Sequence, residues 1–369
     1  MKMKRFIVVI MSIMLICSLV ACGNATNSVN ETPLATPSTT PLEASTETPS
    51  PSATPSATST EPPSPSTTPS ETPSVSNSSG EPSIVYMTSD ISSEGLMTVY
   101  NALAWTPEGN VAVKLSTGEP PASYYLDPEL IKELVQSVDG TIVECNTAYG
   151  GSRMDTDMHM QIAKDHGFTA IANVDILDAE GSISLPIVGG AHLTEDRVGS
   201  HFTNYDSYLI LSHFKGHEMA GYGGAIKNIS IGLASKEGKR LIHTSGNKSV
   251  SMWTANQNFF LESMADAGKA VSDSLNNGKN IVYINVMNNI SIDCDCNGRP
   301  AEPEIHDIGI LASTDPVALD QACIDLAYAA EGSESLQKRI KQKNGLHTLE
   351  RAEENGLGSR TYELVNIDD

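Results

Sequence analysis

Short apolar runs alternate with amphipathic segments along the chain from Ile84 onward. The apolar runs have the length and β-branched content of buried strands, and the segments between them repeat apolar residues at helical spacing. This alternation is typical of βαβ units, so it predicts an α/β fold in which a mostly parallel sheet and its crossover helices form three layers. The predicted strands span residues 84–87, 111–116, 141–146, 170–176, 207–211, 280–287 and 307–312.

Helix start signals fall between several of these runs. Ser92 is a candidate N-cap for a helix over 92–104, and Asp127 and Asp315 each precede a proline that would occupy a first turn. Further helices are predicted over 155–166 and 257–275, with two short helices after residue 333. The stretch around residues 185–188 predicts a hairpin, and residues 363–367 predict a final strand.

The first 82 residues follow a different pattern. Three basic residues near the start precede an apolar run over 6–20 and the tetrapeptide that ends at Cys22, which matches a secretory signal closed by a lipobox. We expect a signal peptide over 1–21, with Cys22 carrying a lipid; an uncleaved signal anchor is the alternative. Residues 22–82 repeat Thr, Pro and Ser and predict a disordered linker. The α/β domain then spans 83–369, with its core over about 111–330.

Charge narrows the range of partners. The chain has 45 acidic and 23 basic residues and a formal net charge of -22. Nucleic acids require a basic surface, so we expect no nucleic-acid partner. The lipobox that ends at Cys22 predicts a protein anchored through its N-terminus on the extracytoplasmic face of the cell membrane.

A glycine-rich segment that follows the strand at 207–211 carries the first candidate site. His213 and His217 precede Gly221, Gly223 and Gly224, and Lys227 and His243 follow them. Glycines let the backbone approach a ligand, and a helix that opens near Gly224 would aim free N–H groups and Lys227 at an anion. The two early histidines are candidate metal ligands; structural hydrogen bonding by both is the alternative.

Two thiols and two carboxylates occupy residues 293–296 and form a compact donor set for a metal such as zinc, iron or nickel. A disulfide between Cys294 and Cys296 would close a tight ring, so we expect free or metal-bound thiols there. Cys323 falls on the inward face of a predicted helix, where core packing is the expected role.

Lys114 lies at the end of a predicted strand and is the third candidate. An open α/β sheet binds ligands beyond the carboxyl ends of its strands, so Lys114 could hold a carboxylate or phosphate. A salt bridge to Glu119 or Glu144 is the alternative.

Two long segments, residues 212–234 and 293–322, resemble the domain of unknown function 362 family, and the similarity extends over about 111–330. Many members of that family carry a ferredoxin-like cysteine insertion just after the position of His243. Thr244 to Lys248 stand there instead, so a four-iron cluster of that type is not expected.

The order and spacing of His217, Gly221, Gly224, Lys227 and His243 are also similar to a motif of nickel-pincer lactate racemases. That resemblance implies that Lys227 holds a cofactor, that His243 binds metal and that His217 is an acid or base near neutral pH. The sequence departs from the motif where Ala225 replaces a glycine. For the partner histidine of the N-terminal half, the candidates are His159 and His166.

Together these features predict a cell-surface lipoprotein with a polar cleft. The cleft is expected to bind a metal or an anionic small molecule and to act on it by racemase, isomerase or redox chemistry. The alternative is a binding protein without catalysis, which captures a ligand for a transporter or the cell wall.

Overall fold

The structure is a computed structural model that describes residues 81–368. The predicted signal peptide, the lipidation of Cys22 and nearly all of the linker lie outside the described residues. The boundaries that we predict between these segments and the α/β domain therefore stay predictions.

A sheet of eight strands forms the centre of the fold, with two separate two-stranded hairpins. The strands are Ser83–Thr88 (β1), Val111–Lys114 (β2), Thr141–Glu144 (β3), Val174–Ile176 (β4), Ser182–Pro186 (β5), Glu195–Gly199 (β6), Ser207–His213 (β7), Lys215–His217 (β8), Gly221–Gly223 (β9), Ile281–Met287 (β10), Gly309–Ser313 (β11) and Tyr362–Asn366 (β12). The sheet has the order β12-β1-β11-β10-β7-β2-β3-β4. Only β11 runs antiparallel to its neighbours, so the sheet is mostly parallel as predicted.

Ten helices accompany the strands among the described residues. They are Ser93–Ala102 (α1), Pro128–Ser137 (α2), Thr156–Asp165 (α3), Phe168–Ile171 (α4), Ala225–Ser230 (α5), Lys236–His243 (α6), Gln257–Ser274 (α7), Pro316–Ala329 (α8), Glu334–Gln342 (α9) and His347–Glu354 (α10). Ser92, Asp127 and Asp315 all cap their helices as predicted. No helix within residues 81–368 is both long and apolar enough to cross a bilayer.

Side chains of the central strands alternate between two cores. In β7, Tyr208 and Ile210 pack on one face of the sheet, whereas Leu209 and Leu211 pack on the other. Helices α5, α7 and α8 contribute to the first core, and α1, α2 and α3 contribute to the second. Both faces of the sheet are therefore covered, which confirms the three-layer arrangement.

One predicted strand differs from the structure. Residues 170–176 were expected to be extended, but the first part of that stretch belongs to α4 and only Val174–Ile176 forms a strand. Gly167 has a φ of +89°, a conformation open to glycine, which lets a second short helix follow α3 directly. Phe168 and Ile171 are buried by that helix turn, so their apolar character reflects helix packing.

Candidate functional site

A cleft opens beyond the carboxyl ends of β2, β3 and β7, where a doubly wound sheet is expected to bind its ligand. Its cavity volume is about 90 Å³. The cleft is defined by Lys114, Ser116, Glu144, Cys145, Thr147, Tyr149, Arg153, Ser212, His213, Lys215, Gly223, Gly224, Lys227, Asn228, Ile231, Gly232, Lys239, Cys294, Asp295 and Cys296. Most of the predicted site residues are therefore brought together by the fold.

Lys114 is held by groups of the protein itself. Its Nζ donates to the carbonyl of Leu115 at 2.6 Å and to Oδ1 of Asn228 at 3.0 Å, and lies 3.6 Å from Glu144. Burial lowers the pKa of Lys114, while the charge of Glu144 opposes that effect. The salt-bridge interpretation is correct with Glu144 as the partner, so Lys114 shapes the cleft wall rather than offering an open charge.

Glu144 gathers the polar groups at this wall, and Arg153 is the one that the sequence analysis missed. Arg153 donates to Glu144 at 3.0 Å and to Glu119 at 3.2 Å. Burial alone would raise the pKa of Glu144, but Lys114 and Arg153 lower it well below its usual value. The sequence contains one indication that Arg153 belongs to the site: it is a basic residue that follows a Gly-Gly-Ser turn, in the loop after a buried strand.

The two candidate partner histidines do not line the cleft. His159 is fully buried and contacts the Thr117 hydroxyl at 3.1 Å and Glu144 at 3.6 Å. His166 bonds to the Thr117 carbonyl at 2.7 Å and stacks on Tyr125. Both imidazoles therefore pack behind the cleft lining and bond to the residues next to it.

Lys227 provides the cation that remains available. It lies in α5, partly buried, and its Nζ has no hydrogen-bond acceptor among residues 81–368. A Cβ at Gly223 would lie 3.3 Å from Cδ of Lys227, so the glycine gives the lysine stem its space. Burial and the neighbouring charge of Lys215 lower the pKa of Lys227 to about 7.

The N-terminus of α5 is not free to bind an anion, contrary to our prediction. Ala225 and Ile226 donate their backbone N–H groups to the carboxylate of Asp320, at 2.7 and 3.0 Å. A Cβ at Gly224 would lie 2.3 Å from Oδ1 of Asp320, so the glycine leaves room for the Asp320 carboxylate rather than for a ligand. Burial raises the pKa of Asp320 to about 6. An acid within the apolar face of α8 was the overlooked signal.

Gly221 also has a structural role. Its φ is +86°, and an added Cβ would lie 3.1 Å from Cα of Ile340 and 3.2 Å from Cα of Gly345. The glycine thus allows close packing between β9 and the segment around α9. Its predicted contact with a cofactor is not supported, since it is absent from the cleft lining.

His213 was proposed as a metal ligand, but both of its ring nitrogens are already bonded. Nδ1 contacts Oδ1 of Asp295 at 2.8 Å, and Nε2 contacts the carbonyl of Asn288 at 2.6 Å. Lys215 contacts the other carboxylate oxygen of Asp295. Burial would raise the pKa of Asp295, but Lys215 and His213 lower it to about 2. His213 therefore has no nitrogen left for a metal.

His217 and His243 are opposite tautomers, as the hydrogen bonds of their Nδ1 atoms indicate. The Nδ1 of His217 accepts backbone N–H groups from Met219 and Ala220, at 3.2 and 2.9 Å, so its proton belongs on Nε2. The Nδ1 of His243 donates to the carbonyl of Lys239 at 2.6 Å, which leaves its Nε2 lone pair available. The ring of His243 stacks on Phe260 and borders a neighbouring depression rather than the cleft.

The pKa values of both imidazoles are lowered. Burial, with the charges of Lys227 and His243, holds the pKa of His217 well below its usual value. Burial likewise lowers the pKa of His243 to about 4. A buried ring beside cations disfavours a second proton, which argues against His217 as an acid or base near neutral pH.

Cys294 and Cys296 form a disulfide, which corrects the prediction of free or metal-bound thiols. Asp295 between them turns toward Lys215 and His213, so the two flanking side chains share the opposite side of the chain and meet. A ring nitrogen of His217 and the two sulfurs lie within 4.8 Å of one another. While the sulfurs are bonded to each other they offer no thiolate to a metal. Cys323 is free and buried in the core as predicted.

The fold and this cleft define an α/β protein with a cleft that several basic side chains line. The chain belongs to the family described as Domain of unknown function (DUF362), whose model matches residues 111–325. No curated protein matches the chain.

Two solved structures are similar in part. One is the lactate racemase apoprotein from Thermoanaerobacterium thermosaccharolyticum, at 16% identity and a TM-score of 0.36, over 55% of this chain and 50% of that one. The other is a protein from Thermotoga maritima, at 12% identity and a TM-score of 0.34, over 71% of this chain and 58% of that one. The chain thus spans between half and three fifths of these structures.

Proposed function

We propose that this protein is a cell-surface lipoprotein whose cleft binds a small anionic molecule, with Lys227 as the direct contact. The observation that carries the proposal is the ammonium group of Lys227, which faces the cleft without an acceptor from residues 81–368. An anion would supply the missing partner.

The neighbouring charges favour an anion over a cation. Lys215 is bonded to Asp295, and Lys114 is bonded to internal oxygens near Glu144, so each carboxylate of the wall is already engaged. Lys239 lies in the same wall, with its Nζ on the carbonyl of Ala234. The basic groups that line the cleft outnumber the acidic ones in a chain with a net charge of -22, and this local excess supports a negatively charged ligand.

The space and donor set suit a small carboxylate or phosphate. One available ammonium group with a hydroxyl neighbour such as Ser212 can satisfy one anionic group and one polar substituent. We therefore propose lactate, oxalate, acetate and inorganic phosphate as the first probes.

Isothermal titration calorimetry of the full-length protein with these four probes tests the proposal. We expect at least one probe to bind to the wild type, and binding to be lost in Lys227→Met. The matched control is Lys132→Met, because Lys132 is an exposed lysine paired only with Glu129. Equal binding by wild type and Lys227→Met would remove Lys227 from the site.

A metal at His243 is a second candidate, and the available Nε2 of that residue favours it. The nickel-pincer cofactor implied by the motif does not fit these positions together, because Lys227 lines the cleft whereas His243 borders a neighbouring depression. His217, with its proton on Nε2, does not fit the acid or base role. Elemental analysis of the wild type, His243→Ala and the control His306→Ala, an exposed histidine, tests this candidate. Stoichiometric metal that persists in His243→Ala would exclude the site.

A further inference from the structure

The disulfide between Cys294 and Cys296 forms one wall of the cleft. A disulfide stabilises a fold chiefly by restricting the conformations of the unfolded chain, and the effect grows with the length of the loop that the bond closes. These cysteines are separated by 2 positions, so the bond restricts very little chain. Asp295 already anchors the segment through Lys215 and His213. A structural role therefore explains this bond poorly.

The two cysteines differ in their exposure to solvent. Cys294 is buried, with 6% of its surface exposed, whereas Cys296 is only partly buried. A thiol that enters the cleft therefore meets Cys296 first. The sulfur of Cys294 would then be the leaving group, on the protected side of the wall.

The surroundings of the leaving sulfur suit a thiolate. The ring of His217 lies within 4.8 Å of both sulfurs, and its Nδ1 is committed to two backbone N–H groups. Its remaining nitrogen, Nε2, therefore carries a proton and can donate a hydrogen bond to a sulfur anion. Lys215 and Lys227 line the same cleft.

We propose that Cys294 and Cys296 are a redox-active pair that exchanges electrons with a dithiol, and that His217 donates a hydrogen bond to the Cys294 thiolate. A thiolate of the dithiol attacks Sγ of Cys296, the bond between the cysteines breaks, and its electron pair goes to Cys294. The second thiol of the reductant then attacks its own sulfur in the mixed disulfide and releases Cys296. In sum, the protein gains two electrons and one proton, which Cys296 takes up, while Cys294 stays a thiolate; the second proton of the dithiol goes to solvent, and the dithiol becomes a disulfide.

Alkylation followed by peptide mass spectrometry tests the exchange on the full-length protein. The protein is equilibrated with reduced and oxidised dithiothreitol at a series of ratios, then quenched with N-ethylmaleimide. We expect Cys294 and Cys296 to become labelled together under native conditions, while the buried Cys145 and Cys323 stay unlabelled as internal controls. Labelling of residues 294 and 296 only under unfolding conditions would overturn the proposal.

Variants that lack one cysteine of the pair test the order of attack. Cys294→Ser leaves the accessible thiol, and Cys296→Ser leaves the buried one. With 5,5′-dithiobis(2-nitrobenzoic acid) we expect Cys294→Ser to react at least tenfold faster, as measured by the labelled peptide. Equal rates, or faster reaction of Cys296→Ser, would contradict the assignment of Cys296 as the attacked sulfur.

Variants of His217 test its role as a positioning donor. We expect His217→Ala to lower the equilibrium constant for reduction about tenfold, since a hydrogen bond to a charged group would be lost. His217→Gln keeps an N–H donor and should recover part of the change, while His306→Ala should match the wild type. An unchanged constant in His217→Ala, with circular dichroism like that of the wild type, would remove His217 from the redox site. This inference does not depend on Lys227, so anion binding and disulfide exchange can fail separately.

Discussion

The proposed anion site makes a specific prediction about pH. The pKa of Lys227 is about 7 in the ligand-free protein, against 10.5 for an unperturbed lysine. An anion in contact with the ammonium group favours the charged form, so its binding raises that pKa. Below pH 7 the lysine is already charged, and affinity should be independent of pH. Above pH 7 each bound anion must bring one proton with it.

The magnitude follows from that linkage. When one proton is taken up per anion, the dissociation constant rises about tenfold for each pH unit above 7, which corresponds to about 1.4 kcal/mol per unit. Between pH 6 and pH 9 we therefore expect a loss of about a hundredfold in affinity. Lys227→Arg should bind without this slope, because a guanidinium group stays charged across the range.

Calorimetry at pH 6, 7, 8 and 9, in two buffers of different ionisation enthalpy, measures the affinity and the number of protons together. We expect no proton uptake at pH 6 and close to one proton per anion at pH 8. A wild-type affinity that stays flat from pH 6 to pH 9, or equal slopes for wild type and Lys227→Arg, would refute the reasoning.

Substitutions at three further positions test other features. Asp320→Ala should lower the free energy of unfolding in urea by about 3 kcal/mol, because two backbone N–H groups of α5 and the amide of Asn285 lose their buried acceptor; Asp320→Asn, which keeps an oxygen, should lose less. Glu144→Gln should cost about 3 kcal/mol at pH 7, because Lys114 stays buried without a carboxylate and Arg153 keeps only Glu119. In the wild type this stabilisation is present above the ordinary carboxyl pKa and lost as pH falls through the lowered folded value, so melting temperature should fall more steeply with acidification in wild type than in Glu144→Gln. Cys22→Ala should move the protein from the membrane fraction to the soluble fraction, and unchanged fractionation would argue against a lipid anchor.

Much of the fold could be predicted because its signals are local. A cap bonds to an N–H group two or three positions away, as Ser92, Asp127 and Asp315 do, so the neighbouring residues suffice to recognise it. The alternation of strand residues is equally local, since side chains at successive positions point to opposite faces of the sheet. The stretch at 170–176 failed because a short apolar run has no clear period, and α4 took its first residues.

The site was harder because the state of each polar group depends on distant residues. The sequence places a glycine and a helix start at Gly224, but the acceptor for that helix is Asp320, 95 positions from Ala225. The sequence makes His213 a candidate metal ligand, but Asp295, 82 positions away, is bonded to its Nδ1. Nothing near either residue in the sequence indicates these pairings.

By itself, the sequence determined that the chain builds a three-layer α/β domain and that polar residues follow its strands at one edge of the sheet. Hydrophobic period and capping are properties of neighbouring positions, so they can be recognised without coordinates. The tertiary structure decided which of those polar groups are paired and which are available: Lys114 and His213 are bonded internally, Cys294 and Cys296 are joined, and Lys227 faces the cleft. The reason is physical, because a buried polar group must find a partner and the fold alone fixes which distant groups come within reach.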